Sequence, residues 1–216
     1  MQRLRCFPPP PDRDDMTRTL FTTPVLSPLL CLMSRLFLRA TGWRVQGALP
    51  PEAARSVIIA APHTSNWDLP YTLMMAFALG LHIRWLGKRS IFRAPFGGVM
   101  RWLGGIEVNR ETSSNLVAAS AQALTAAPGA LQLVVAPEGT RGRTRHWKTG
   151  FYFIAVQAQV PVVLAYLDYE KKVGGIGPLF RPTGDVDADM AQIRRFYAPI
   201  KGKRPEAFEA GDTDPA

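Results

Sequence analysis

The stretch SVIIAAPHTSNWDLPYTLMMAFALGL, Ser56 to Leu81, contains a strand, a turn and a helix in succession. Its first six residues, Ser56 to Ala61, form a nearly unbroken apolar run that stops at Pro62. A run this short, with β-branched residues at its centre, reads as a buried strand. The absence of polar alternation fits a strand covered by helices on both faces. LPYTLMMAFALGL then reads as a helix with Gly80 near its end. The same succession recurs downstream. HIRWLG is a strand, a helical segment follows near Phe92 to Leu103, and IEV is a brief strand after Gly104-Gly105. SSNLVAASAQAL is a helix opened by serines, and LQLVVA is the clearest strand of the chain. GFYFIAVQAQ is a helix, VPVVLAYLD a strand, and DADMAQIRRFY a late helix with Asp187 or Asp189 as its N-terminal signal. Strands alternating with helices define an α/β fold, a single domain with a mostly central β-sheet flanked by helices. Periodicity leaves the strand order open.

At 216 residues the chain is sized for one domain with a real core. Its 47% apolar and 20% charged composition is that of a globular protein. Residues 1–19, with PPPP and DRDD, read as a disordered tail with Met16 as an alternative start, and they lack the order of a secretory signal. Residues 20–46 are expected to form an N-terminal amphipathic, membrane-associating helical segment, 47–204 the main domain after a Gly/Pro-rich hinge at Gly47 to Pro51, and 205–216 a C-terminal tail. From Pro24 to Leu38 the only charge is Arg35, but the stretch is shorter than the ~20 residues of a membrane-spanning helix. Leu26, Leu29, Leu30, Met33, Leu36 and Phe37 recur at helical spacing, and Arg35, Arg39 and Arg44 accompany them. Two readings fit: an amphipathic helix lying in a membrane interface, or a helix packed on the domain core. Cys6 and Cys31 supply neither a zinc spacing nor a disulfide framework.

The net charge of +9 is unevenly spread. Arg84, Lys88, Arg89, Arg93, Arg101 and Arg110 face a single acid, Glu107, and Arg141, Arg143, Arg145 and Lys148 follow Glu138. Such a field draws a nucleic acid, an anionic membrane or a phosphorylated small substrate, and a solvated basic face is the plainer alternative.

His63 and Asp68 stand five positions apart. Inside one helix such positions point about 140° away from each other, so the two meet only if His63 lies in a turn and Asp68 in the first turn of the next helix. Pro62 and the Thr64-Ser65-Asn66 run favour that turn. Asp68 would then hold one ring nitrogen and leave the other free to take a proton, a base with its orienter. A capped turn with a buried, satisfied histidine fits the same residues. The second constellation is VVAPEGTRGRTRHWKTGF, where a strand runs into Pro137 and a polar turn, Glu138, Gly139, Thr140 and Arg141, follows. Gly139 and Gly142 admit close backbone approach, and Arg141 can hold a phosphate or carboxylate bidentately. The spacing is not that of a P-loop.

Taken together, HTSNWD resembles the His-x4-Asp motif of the glycerolipid acyltransferases, the lysophosphatidic-acid-acyltransferase-like family, and PEGTR resembles that family's most recognisable block. GGIEVNR is similar to the block whose arginine binds the acceptor phosphate, and VPVVLA to a late Val-Pro block; the four cover roughly Pro62 to Ala165 in the family's order. The resemblance implies His63 as general base and Asp68 as its orienting partner. It implies Arg110 on the acceptor's phosphate with Lys88 as a second contact. Glu138, Gly139, Thr140 and Arg141 would form the acceptor-binding turn, with Pro161 shaping the pocket wall. Pro62, Gly142-Arg143 and Asn109 depart from the residues common in the family, which bears on the acceptor.

The implied reaction is transfer of a fatty acyl group from an acyl-CoA or acyl-carrier-protein thioester to a lysophospholipid hydroxyl, 1-acylglycerol-3-phosphate by default, without a covalent intermediate, metal or cofactor. Another lyso-lipid or an amino-acid-derived lipid is the alternative acceptor. An anionic membrane surface is the expected partner, acyl carrier protein a further one, and the cytoplasmic side of a membrane the expected location, peripheral or monotopic. A nucleic-acid-binding protein would account for the charge, but no recognised binding module is present, so no nucleic-acid partner is expected. A metal-dependent hydrolase using His63, Asp68 and Glu138 would have a poor zinc site, one histidine with two carboxylates.

Overall fold

The computed structural model of the chain describes residues 19–108, 113–127 and 129–210. In chain order come helix α1 (Leu26–Ala40), strands β1 (Arg44–Gln46) and β2 (Arg55–Ala61), helix α2 (Asp68–Leu79), strand β3 (Ile83–Lys88), helix α3 (Gly97–Trp102) and strand β4 (Gly105–Val108). Helix α4 (Ser113–Ala126), strand β5 (Leu131–Val135), helix α5 (Gly150–Ala158), strands β6 (Val162–Asp168) and β7 (Val173–Phe180) and helix α6 (Val186–Tyr197) complete it. The strands form one sheet in the order β1-β7-β6-β2-β5-β3-β4. From β6 to β4 all neighbours are parallel, whereas β7 runs back against β6 with β1 parallel beside it. The α/β reading, one sheet flanked by helices, holds.

Strand β2 explains the unbroken apolar run. Val57, Ile59 and Ala61 enter one core with Leu124, Phe151 and Ile154 of α4 and α5. Ile58 enters the opposite core with Ala76 and Phe77 of α2. Both faces are covered, so the run Val57 to Ala61 is apolar throughout; burial contributes about 1.5–3 kcal/mol per large side chain. The chain leaves β2 through α2 on one face and leaves the neighbouring β5 through α5 on the other. Adjacent strands whose helices depart to opposite faces open a crevice beyond their C-terminal ends, where open α/β sheets place their sites.

Strands β1 and β7 escaped the sequence reading. In β7, VGGIGPLF carries three glycines and a proline, a composition depleted in strands. A side chain at Gly175 would run into the Gln46 carbonyl of β1, which is why the two strands can pair there. Helix α6 is capped by Asp185, whose carboxylate accepts from the Ala188 amide at 3.0 Å, and not by Asp187 or Asp189. Asp189 is buried and accepts from the Tyr152 hydroxyl at 2.8 Å.

Helix α1 packs its narrow stripe inward. Ser27, Cys31, Ser34 and Leu38 are buried, and the Arg35 guanidinium donates to the Ala78 carbonyl at the end of α2 (2.8 and 3.2 Å). Leu29, Leu32, Met33, Leu36 and Phe37 are exposed, Leu32 and Leu36 each at 56%. Among the described residues no helix is long and apolar enough to cross a membrane.

Candidate active site

His63 stands two residues past the end of β2, and Asp68 begins α2. The intervening turn folds back so that His63 Nδ1 lies 3.2 Å from Asp68 Oδ2. That oxygen also accepts the Thr64 and Ser65 amides, each at 2.8 Å. Asp68 therefore caps the turn and contacts the imidazole at once, so the capped turn and the His–Asp contact are present together. The Asp68 side chain is 5% exposed, the His63 ring 31%. Burial pushes the Asp68 carboxyl up, but hydrogen bonds from His63, the Ser65 amide and Tyr169 outweigh it and hold it below its ordinary value. Asp68 thus stays an anion beside the ring.

Glu138 comes from the loop after β5, the strand beside β2. Its role differs from the expected one. The carboxylate is 6% exposed and turned inward, where Oε1 accepts the His63 backbone amide at 2.9 Å. Oε2 is buried with no hydrogen-bond partner among the described residues. Burial raises its carboxyl above the ordinary value. Glu138 ties the two turns together, and it is the following residues, Gly139 to Gly142, that line the cavity. Gly139 has φ +63°, and a Cβ there would lie 2.9 Å from Lys148 Cε. The backbone conformation demands glycine, whereas the flexible Lys148 side chain can move aside.

The cavity measures about 1170 Å³. His63, Thr140, Arg141 and Lys148 supply its polar end, and Met75, Leu79, Ile83, Trp85 and Met100 line its apolar part between the sheet, α2 and α3. Arg141 stands at this polar end, but Arg143 and Arg145 are taken up by Glu209, at 2.8 and 2.9 Å. Arg110 and the Lys88 side chain lie outside the described residues.

Pro161 is a correction. It precedes β6 and its carbonyl accepts the Val57 amide at 3.1 Å, at the N-terminal end of β2. Six residues of extended chain, about 20 Å, separate that end from His63, and Pro161 does not line the cavity. Asp168, at the proper end of β6, accepts the Lys171 amide at 3.1 Å and shapes the turn into β7. Among the described residues no group of three or more His, Cys, Asp or Glu could hold a metal ion.

Two features had no sequence signal. The Tyr169 hydroxyl, one residue past β6, donates to Asp68 Oδ1 at 2.8 Å. Only its place just after a strand end hinted at a site, since nothing in its spacing ties it to His63. Residues 205–210, expected as tail, belong to the domain: the Arg204 amide donates to Thr64 Oγ1 (3.2 Å), and the Trp147 indole donates to the Glu209 carbonyl (3.3 Å). The segment from Ile200 onward thereby braces both turns from behind.

Residues 43–167 match the model of a family described as Acyltransferase. The chain is similar to the sheep (Ovis aries) 1-acyl-sn-glycerol-3-phosphate acyltransferase alpha, with 30% identity over 139 residues, 62% of this chain and 47% of that protein. It is similar also to the Haemophilus influenzae 1-acyl-sn-glycerol-3-phosphate acyltransferase, with 27% identity over 131 residues, 56% of this chain and 52% of that one. The chain spans about half the length of the curated relatives it matches. Its fold is similar to the crystal structure of the 1-acyl-sn-glycerophosphate (LPA) acyltransferase, PlsC, from Thermotoga maritima, with a TM-score of 0.53 at 17% identity, covering 82% of this chain and 81% of that one.

Proposed function

This chain belongs to the acyltransferase family, and we propose that it moves a fatty acyl group from a thioester, acyl-CoA or acyl carrier protein, to the free hydroxyl of a lysophospholipid, 1-acylglycerol-3-phosphate foremost. The observation that carries the reading is the His63 Nδ1–Asp68 Oδ2 contact of 3.2 Å at the polar end of a large apolar cavity.

The acceptor hydroxyl gives its proton to His63 Nε2 as its oxygen attacks the thioester carbonyl. Asp68 keeps the ring in the tautomer with Nδ1 protonated and stabilises the imidazolium that forms. The carbon–sulfur bond breaks, and the leaving thiolate takes the proton back from His63. Glu138 holds the His63 backbone and leaves proton transfer to the ring. The apolar cavity suits an acyl chain, and Arg141 and Lys148 suit the acceptor's phosphate. Arg110 and Lys88 keep the phosphate role that the family resemblance implies. Another lyso-lipid would use the same base and the same cationic end.

The exposed apolar face of α1, flanked by Arg39 and Arg44, suits peripheral attachment to an anionic leaflet, on the cytoplasmic side. The deciding experiment is acyl transfer from acyl-CoA to 1-acylglycerol-3-phosphate by the His63→Ala variant. A loss of about 10²–10⁴-fold with the fold intact is expected; full activity in the purified variant sinks the mechanism.

A further inference from the structure

A second exposed apolar surface, separate from that of α1, lies beyond the C-terminal end of β3. Beyond β3 the chain makes a 3-10 turn, Arg89–Phe92, and then enters α3. Phe92 is buried beneath this segment, while Ile91, Phe96 and Val99 are 41%, 67% and 49% exposed. Every charged residue from Arg89 to Trp102 is basic: Arg89, Arg93 and Arg101, all exposed. Glu107 pairs with Arg89 at 3.3 Å and Arg101 at 3.1 Å, so two of the three cations share one acid.

Helix α3 also lies on the same side of the molecule as α1. The Leu20 amide donates to the Trp102 carbonyl at 2.8 Å, and the Trp102 indole donates to Thr23 Oγ1 at 3.4 Å. Helix α1 starts three residues beyond Thr23. Ile91 is at once exposed and, with Met100, part of the cavity lining, so this surface borders the cavity itself.

We infer that the segment Arg89–Trp102 is a second bilayer contact, in which Ile91, Phe96 and Val99 enter the acyl region of a leaflet whose anionic headgroups meet Arg89, Arg93 and Arg101. The inference rests on the lipid acyl-transfer reading above. A lipid surface fits because exposed aromatic and aliphatic side chains ringed by arginines match both layers of an anionic interface. The patch is tied through Trp102 to the segment that enters α1, and the cavity it borders carries apolar side chains such as Trp85 and Met100 on its wall. One helix alone leaves a protein free to roll about that helix's axis. A second contact stops the roll and holds the Ile91 border of the cavity against lipid.

The test uses the full chain with Cys6→Ser and a single Phe96→Cys substitution carrying an environment-sensitive fluorophore; Cys31 is buried and shielded from the reagent. The same label is placed in separate proteins at Leu32 on α1 and at Gln122, exposed on α4 across the sheet. Vesicles of phosphatidylcholine and phosphatidylglycerol, with and without brominated acyl chains, are then added. The expected result is a blue shift and bromine quenching at positions 96 and 32 and neither at 122. Emission at position 96 that stays water-like while position 32 responds overturns the inference, as does absence of response at all three. Independently, Phe96→Ser with Val99→Ser should weaken vesicle binding about tenfold or more; unchanged binding overturns it too. The His63→Ala variant is tested alongside. Its vesicle response is independent of acyl transfer, so failure of the catalytic reading and failure of this contact give different results.

Discussion

Replacing Tyr169 by phenylalanine removes one oxygen and keeps the ring. That oxygen donates to Asp68 Oδ1 at 2.8 Å, while Oδ2 retains the Thr64 and Ser65 amides and His63. The ring stays edge-on to Trp43 and Tyr71, with centroids 5.0 and 5.7 Å away. A hydrogen bond to a charged group is worth about 1.5–3 kcal/mol, and about 1.4 kcal/mol is a factor of ten. If Asp68 orients His63 as derived, kcat/KM for acyl transfer should therefore fall about 10- to 150-fold. The fall should sit in kcat, because a better-held Asp68 matters most when the imidazolium forms, and the acceptor's KM should hold. Thiol release from acyl-CoA with 1-acylglycerol-3-phosphate as acceptor measures both constants. The Tm should drop about 3–12 °C, at the 2–4 °C that each kcal/mol makes in a domain of this size. The acid side moves as well. The Asp68 carboxyl is held below 3.8 in the folded protein, so its contribution to stability is present above that value and lost as pH falls through the folded one. Loss of the Tyr169 donor raises the folded value, and acid unfolding of the variant should begin at higher pH. Activity within about twofold of the parent, or a loss confined to KM, refutes the orienting role.

Glu138→Gln tests the buried carboxyl. Its folded value is raised above 4.5 by burial, so the folded state holds the proton more tightly and the parent loses stability as pH climbs through that window. The stability of the parent relative to the variant, from denaturant melts, should fall with rising pH; a flat difference contradicts the buried placement. Gly139→Ala forces a side chain into φ +63° against Lys148 and should cost about 1–3 kcal/mol by denaturant titration; a neutral change would mean that the turn is free to relax. Arg141→Ala should raise the acceptor's KM with kcat little changed, whereas Pro161→Ala should leave that KM alone; the reverse order would restore the pocket-wall role to Pro161.

The legible parts of this protein were those that a local pattern controls. The apolar run Val57 to Ala61 is continuous because helices cover both of its faces, so periodicity alone identified a central strand. Pro62, the Thr64-Ser65-Asn66 run and Asp68 dictated a turn capped by a carboxylate, and the observed amide bonds to Asp68 are what those residue types prefer. Strand β7 stayed hidden because its glycines answer to neighbours, Gly175 to the Gln46 carbonyl, and not to a period.

His63, Asp68 and the PEGTR turn were visible as residues, and the five-residue spacing with its intervening turn was enough to bring the first two together. What only the tertiary structure decided is which neighbours they acquire. Strand order put β5 beside β2, and that adjacency turned Glu138 inward onto the His63 backbone. It brought Tyr169 from the end of β6 onto Asp68 and left Pro161 at the far end of the sheet. It also turned Ser27, Cys31, Ser34 and Leu38 of α1 inward and Leu29, Leu32 and Leu36 out. Sequence periodicity records how much of each residue is covered; which element does the covering follows from the crossovers between strands, set by packing across the whole chain.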